Sequence, residues 1–489
     1  MRTFAVLSLA RLSLVSLGAL SLAACVAGPD FVKPKAPAVD RFTTEELPNI
    51  ELATRAADAG ATPGQEWWTA FHSAKLDDTV KVALAGNRKL QVAQATLTEA
   101  REIYGASRGA RLPSAELAAA NARQKYGAAF LGGFKLPPFT AYSVGVNVNY
   151  VLDYTGGVRR GIEQQQALAE EREHEVTAAH LSLTGNVVLQ ALTIASARAR
   201  IRAVDSILEE DSRNMDLVKK ALDEGSVARV DLLAAQSQLA QDQTLLPPLR
   251  QELSVARHAL AVLVGQTPGT WSPPDFELED FAALSPLPVS LPSELARRRP
   301  DIRASEAQLH AATAEIGVAT ANLYPQIKLT GSLSQQALKV DDLFNSSSLA
   351  YGLAGNLTAP LFNGGRLRAE RRAAEAARLA ALANYEQTVL TAFGQVADVL
   401  AALEHDAEFT TAQQQFLDVA ENNLALTRES YSAGNVGVLQ ILDAERLVQR
   451  ARIGVAGAHA QRLQDTAELI VALGGDSPID TATASAAGR

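Results

Sequence analysis

A single cysteine, two methionines and a sparse set of aromatic residues exclude several function classes before any motif is read. One thiol, Cys25, can form neither an internal disulfide nor a thiolate metal site. Met1 and Met215 offer no thioether ladder for a soft metal, so no metal site and no resident cofactor are expected. Aromatics make up 5% of 489 residues, and alanine is abundant. That balance points to long helices rather than to the several globular cores such a length would ordinarily hold. The formal charge is -9 with no basic stripe, which argues against nucleic acid as a partner. After Cys25 no run of about 18 apolar residues stands out, so a helical membrane span is not expected and any crossing would be β. His174 and His180 lie six apart on different helix faces, unlike a zinc-binding His-Glu-x-x-His pair, and read as surface histidines.

The first 24 residues carry Arg2 and Arg11, no acid, and an apolar run from Leu12 to Leu22 too short to span a bilayer. This is the pattern of a secretory signal, whose removal moves the formal charge from -9 to -11. Leu22, Ala23 and Ala24 before Cys25 match a lipobox, in which the thiol accepts diacylglycerol and the new amine an N-acyl chain. Such chains contribute about 0.8 kcal/mol per buried CH₂, so several anchor firmly. Val26 after the cysteine resembles lipoproteins sorted to an outer membrane. Ordinary cleavage after Ala24, leaving an inert thiol, is the alternative.

The mature chain is written twice. A shift of 212 aligns Leu90, Leu97, Gly105, Pro113 and Leu117 with Ile302, Leu309, Gly317, Pro325 and Leu329. Shifts of 208 or 209 align Gly156-Gly157 with Gly364-Gly365, Gly225 with Gly434, Val227 with Val436 and Gly265 with Gly474. The chain therefore divides into a signal (1–24), an N-terminal extension (25–74), repeat one (75–265), a Pro-rich linker (266–292), repeat two (293–475) and a polar tail expected to be disordered (476–489). Six prolines between 268 and 292 rule out a persistent helix or central strand in the linker.

Each repeat predicts a helix, two strands, a very long helix and a return helix. Ile302, Leu309, Ile316 and Leu323 stand seven apart with small residues between them, a coiled-coil seam; Leu90, Leu97 and Tyr104 repeat it in copy one. Strands are expected at about 113–126, 139–153, 325–336 and 348–361. Tyr142, Val144, Val146, Val148, Tyr150 and Leu152 alternate with Ser143, Gly145, Asn147 and Asn149. This suits a membrane barrel or an ordinary half-buried sheet equally well. Residues 157–224 and 365–432 contain no proline and predict helices of roughly 100 Å at 1.5 Å per residue. Return helices are expected over 227–265 and 436–473, the first kinked or broken at Pro247-Pro248. Four strands cannot close a barrel and an open edge in lipid is costly, so a membrane reading requires siblings. Two chains would give about eight strands and a filled interior, three about twelve and a passage.

Five stretches resemble the outer membrane efflux proteins, the TolC-like outer membrane factors, and within them the NodT-type efflux lipoproteins. They are GPDFVKP (28–34), WWTAF with LDDTVKVALAGNRKLQVAQA (67–71, 76–95), RRPDIRASEAQLHAATAEIGVATANLYPQIKL (298–329), APLFNGGRLR (359–368) and YSAGNVGVLQILDAER (431–446). YVLDYTGG (150–157) departs from the family's usual strand end. The resemblance implies an α+β membrane protein of a Gram-negative outer membrane. Its homotrimer would join a 12-stranded β-barrel, four strands per chain, to a periplasmic α-helical barrel, with an equatorial collar from termini and linker. It implies a passive exit duct without enzymatic activity, serving a periplasmic adaptor and an inner membrane pump of the RND type. Adaptor contact falls at the helix turns around Gly225, Val227, Gly434 and Val436. The family's acidic ring at the closed entrance maps to Gln440, a departure, and Asp443; Asp443 could equally favour only its own helix N-terminal region. Asp231 occupies the equivalent turn of copy one, where a solvated position or an entrance contact is open.

Two other readings compete. GASRG (105–109) fits the Gly-x-Ser-x-Gly of a hydrolase and would make the chain a lipid-anchored esterase through Ser107, but that motif needs a strand-to-helix elbow and Ser107 falls late in a helix. A periplasmic coiled coil without a pore is the third. Trp67 and Trp68 are expected to pack rather than to form a ligand platform.

Overall fold

The computed structural model describes residues 26–35, 39, 41–44, 47–48, 52–54, 66–127, 132–282, 287–289 and 292–475. In chain order the elements are β1 (Leu52–Thr54), a 3₁₀ turn (Trp67–Phe71), α1 (Ala74–Gly86), α2 (Arg88–Gly109), β2 (Ser114–Gln124), β3 (Phe139–Leu152), α3 (Gly157–Asp223), α4 (Arg229–Gln243), α5 (Leu246–Leu263), a 3₁₀ turn (Leu278–Asp280), β4 (Leu287–Val289), α6 (Pro292–Arg298), α7 (Pro300–Ala321), β5 (Gln326–Ala337), β6 (Leu349–Thr358), α8 (Arg366–Ser432) and α9 (Val438–Ala472). The chain forms two compact units. One holds the described residues among 1–34, 96–172 and 304–385, the other those among 35–95, 173–303 and 386–489.

The first unit holds a four-stranded sheet in the order β2-β3-β5-β6, antiparallel throughout. Each repeat therefore contributes one hairpin, joined through β3 and β5. Small residues let the flanking helices approach closely, as where Ile316 and Ala319 of α7 bury against Ala374 of α8. The YVLDYTGG departure has a local use. Asp153 accepts hydrogen bonds from the backbone N–H groups of Val158 (3.0 Å) and Arg159 (2.9 Å), satisfying donors of the first turn of α3.

The second unit has the larger core, where Trp68, Phe71, Leu76, Val188, Leu192, Ile194, Leu260, Phe276 and Leu463 are essentially inaccessible. A smaller cluster joins Leu295, Val396, Leu400, Leu403 and Leu469. The Pro-rich linker takes part in this core: Phe276, Leu278 and Phe281 bury into it, and β4 pairs in parallel with β1. Pro288 is tolerated because a two-stranded sheet has only edge strands. Helix α3 does contain a stretch apolar enough by composition to cross a membrane, and Val187, Val188, Leu192 and Ile194 within it are buried in protein.

The helices also break where continuity was expected. The first helix of repeat one is two, α1 and α2, because Asn87 leaves the helical conformation and caps α2, its Oδ1 accepting from Leu90 N at 2.9 Å. Its Nδ2 donates to the carbonyl of Leu263 at the end of α5, 2.8 Å away. Repeat two breaks at the equivalent place, Arg299, between α6 and α7. Arg299 Nη1 donates to the carbonyl of Ala472 (2.9 Å), while Nη2 reaches Asp301 (2.7 Å) and Gln395 (2.8 Å). Asn87 and Arg299 are aligned by the same shift of 212 that relates the repeats. Different chemistry performs one task, satisfying a carbonyl at the end of the return helix. The first return helix is broken after Gln243, and α5 restarts with Pro247-Pro248 in its opening turn, where missing N–H groups cost nothing. Repeat two, without those prolines, runs unbroken as α9.

Closure at Asn87 generates a stability prediction. Gly265 has φ +77°, and a Cβ there would stand 2.1 Å from the carbonyl oxygen of Gly86. Asn87→Ala is expected to lower unfolding stability by about 1–2 kcal/mol. Gly265→Ala should cost more, because strain and a backbone collision combine. Gly269→Ala, which meets open space, serves as the neutral comparison in denaturant unfolding.

Candidate functional site

The two faces of the sheet differ in chemistry. Cross-strand register places Val146 beside Leu117 and Leu333, Leu333 beside Tyr351, Val148 beside Gly331, and Tyr150 beside Leu329. Leu117, Val146, Val148, Leu329 and Leu333 are exposed, as are Leu353 at 87% and Tyr351 at 82%, whereas Tyr150 is half-buried. The opposite face carries Asn147, Asn149, Ser143, Ser332, Ser334, Thr330 and Asn356, with Glu116 and Lys328 as charges on the same rows. A band of exposed Leu, Val and Tyr backed by small polar residues belongs in hydrocarbon on one side and water on the other. The outer edges of β2 and β6 are unpaired among the described residues. With four alternating strands, β2 and β6 run in opposite directions, so the edge of one copy matches that of another.

The segment after the lipobox is fastened to the same unit. Cys25 itself lies outside the described residues. Ala27 N donates to Thr155 O at 2.8 Å, Gly28 packs on Gly317, and Phe31 stacks on His310 with centroids 4.4 Å apart. Arg160, whose side chain is 6% exposed, pairs with Asp30 and with Glu163 (2.7 Å), and Glu163 also meets His310 Nε2 at 2.9 Å. The residue following Cys25 thus sits against Gly156, four positions beyond the end of β3.

In the second unit the long helices turn into the return helices at Gly225 and Gly434. Both glycines have φ +75° and are exposed. Gly225 N donates to Leu222 O and Ser226 N to Ala221 O; Gly434 N donates to Tyr431 O and Asn435 N to Ser430 O, all at 2.9 Å. This paired arrangement is the Schellman motif, and it needs a left-handed residue. Gly265 and Gly474 close the return helices in the same way. Val227 and Val436 follow the turns, half-buried. Asp231 and Gln440 hold the same third position in α4 and α9. Asp231 Oδ2 accepts from Ala228 N at 2.9 Å, a capping role, whereas Gln440 is exposed.

Asp443, one turn further along α9, has a side chain 70% exposed and meets Arg446 Nη2 at 3.0 Å. Arg446 is the residue the sequence reading missed. Its Nη1 also donates to Gln238 Oε1 of α4 at 2.8 Å. Gln238 Nε2 donates to Asp242 Oδ2 at 2.6 Å, and Asp242, 6% exposed, faces Asp211 of α3. Burial first, then the adjoining Asp242 and Glu210, push the Asp211 carboxyl up to about 7. The only local signals were the i,i+3 spacing of Asp443 and Arg446 and the i,i+4 spacing of Gln238 and Asp242, and neither reveals that three helices meet there.

The discounted motifs have structural roles. Ser107 Oγ donates to Tyr104 O at 2.7 Å within α2, and no strand precedes it at an elbow. His180 is not a surface histidine: it lies 6.4 Å from the Trp68 ring, and burial lowers its pKa. Trp67 and Trp68 are buried in the core, Trp67 Nε1 donating to Thr184 Oγ1 at 3.1 Å.

Comparison with known proteins agrees with this geometry. The cation efflux system protein CusC of Escherichia coli is 28% identical over 459 residues, covering 94% of this chain and 97% of CusC. The probable outer membrane lipoprotein SilC of Salmonella typhimurium is 27% identical over 469 residues, 95% of this chain and 99% of SilC. The solved structure of the outer-membrane channel OprN superposes with a TM-score of 0.84 at 29% identity, covering 92% of this chain and 99% of OprN. The family model described as outer membrane efflux protein matches residues 79–266 and 291–475. With both repeats matched, and the amphipathic sheet and paired helix turns in place, the chain belongs to the outer membrane efflux protein family and is an outer membrane efflux channel of TolC-like fold.

Proposed function

We propose that three copies close into one duct, each supplying four of twelve strands, with substrate passing along the polar face of the sheet and between the long helices. The observation that carries this is the sheet itself, apolar on one face and open at two antiparallel edges. In hydrocarbon each unpaired backbone group costs several kcal/mol, and pairing β6 with β2 of the next copy removes that cost. Three copies leave a passage; two would fill it with side chains. The relatives are efflux channel proteins, and transport along such a duct needs no catalytic step from this chain.

The turns at Gly225-Val227 and Gly434-Val436 are the surfaces offered to a periplasmic adaptor, which links the duct to an inner membrane pump of the RND type. Cargo choice then rests with the pump. Gln440 and Asp443 face the closed entrance, with Asp443 supplying its negative charge. Cys25 carries the lipid, consistent with its next neighbour being fastened at Gly156, where the sheet gives way to helix.

Purified protein reconstituted in a planar bilayer is expected to conduct as a trimer, with three copies in native mass spectrometry; a monomer, or no conductance, would overturn the duct. Cys25→Ser should abolish incorporation of labelled palmitate in cells, whereas an unlabelled parent protein would point to ordinary cleavage. Asp443→Asn should lower the cation preference of the reconstituted channel. An unchanged reversal potential would remove Asp443 from the entrance.

A further inference from the structure

We propose that the carboxyl pair of half-buried Asp211 and buried Asp242 shares one proton and, through Gln238 and Arg446, sets how much negative charge Asp443 presents at the entrance. The inference rests on the entrance reading above, and adds to it a specificity-determining group outside the lumen.

The geometry begins with an orphan atom. Asp211 Oδ2 is buried and meets no hydrogen-bond donor among the described residues. Its neighbour Asp242 is a second acceptor, already holding Gln238 Nε2. Two ionised carboxylates cannot satisfy one another, but a proton on Asp211 turns the contact into an O–H···O bond. The charged and titratable groups around the pair are Asp242 on α4, Arg446 on α9 and, on α3 itself, Glu210, whose two oxygens are held by Gln449 of α9 at 3.1 Å. Nearby, Glu445 accepts from Asn214 of α3 and Arg428 of α8. Among the described residues Arg446 is the one cation facing the pair, and its Nε is likewise buried without a partner.

Arg446 therefore stands between two claimants. With the pair protonated, one negative charge remains there and is quieted by Gln238, so Arg446 stays on Asp443 and neutralises much of its charge. When the proton leaves, two charges face a guanidinium that already reaches Gln238, the same side chain that holds Asp242. The balance of attraction shifts inward, and Asp443 is released toward the lumen. Asp211 leaves its ordinary range near 4 for about 7, so the exchange falls close to neutral pH. A carboxyl raised on folding contributes stability that is fully present below its unfolded value and lost as pH rises through its folded value.

A second acid pair supplies the comparison. Asp406 of α8 faces Asp465 of α9, itself held by Gln461 at 3.1 Å, and burial followed by Asp465 raises the Asp406 carboxyl to about 7. Its neighbouring basic side chains are Arg462 and His405, and among the described residues no arginine there bonds to Asp443.

The experiment is the reversal potential of the full-length reconstituted channel in a KCl gradient, from pH 5.5 to 8.5. The parent channel should become more cation-preferring as pH rises, by about threefold in permeability ratio, titrating near 7. Asp211→Asn should hold the low-pH value throughout, Arg446→Gln the high-pH value, and Asp406→Asn should titrate like the parent. An Asp211→Asn channel that keeps the parent's titration overturns the proposal. Unfolding temperature over the same range keeps failure of the entrance reading separate. If Asp443→Asn leaves the reversal potential unchanged while Asp211→Asn removes a loss of stability that runs from pH 5.5 to about 7 and levels off above, the shared proton stands and the entrance role falls. If the stability profiles of parent and Asp211→Asn coincide, the shared proton itself is absent.

Discussion

Backbone N–H and C=O groups at a sheet edge have no acceptor or donor in hydrocarbon, and that constraint organises the whole chain. The sheet offers Leu117, Val146, Leu333, Tyr351 and Leu353 on one face, which commits that face to lipid. Once committed, the open edges of β2 and β6 are untenable alone. An even number of antiparallel strands per chain makes the two edges complementary, so identical copies can close without a special seam. The polar face then necessarily points inward, and its small Ser, Gly and Asn side chains leave room for a passage.

The helical unit solves a different problem, that of ending long helices repeatedly in the same place. Four glycines, Gly225, Gly265, Gly434 and Gly474, adopt positive φ and close the helix ends with the same pair of hydrogen bonds. The carbonyls still left at the ends of the return helices are taken up from outside, by Asn87 in one repeat and Arg299 in the other. Duplication preserved the task while the side chain changed, and this is why breaks appear between α1 and α2 and between α6 and α7. The linker is drawn into the same core by Phe276 and Phe281, which gives the Pro-rich stretch a packed role.

Charge is handled with economy in the second unit. The two carboxyls raised to about 7 sit in pairs, each with one aspartate supported by a glutamine four residues earlier on a return helix. Around Asp211 this arrangement meets a chain of side chains that runs through Gln238 and Arg446 to Asp443. A half-buried group between helices thereby acquires influence over an exposed one, because a single guanidinium serves both.

Much of this architecture was legible in the residues alone. Alternation in Tyr142 to Leu152, the proline-free runs and the repeated Gly225/Gly434 and Gly265/Gly474 positions act within a few residues of themselves. Their physics is local, so spacing suffices to read it, and the edge argument converts a strand count into a demand for siblings. What the tertiary structure decided are the matters requiring partners far apart in the chain. Asn87 and Arg299 break their helices because carbonyls 173 or more residues away need donors. His180 becomes half-buried because Trp68 arrives beside it. Asp211, Asp242, Gln238 and Arg446 form one network only when α3, α4 and α9 pack together. Hydrogen-bond demand is visible in a sequence, but the identity of the group that meets it across helices is settled only by packing.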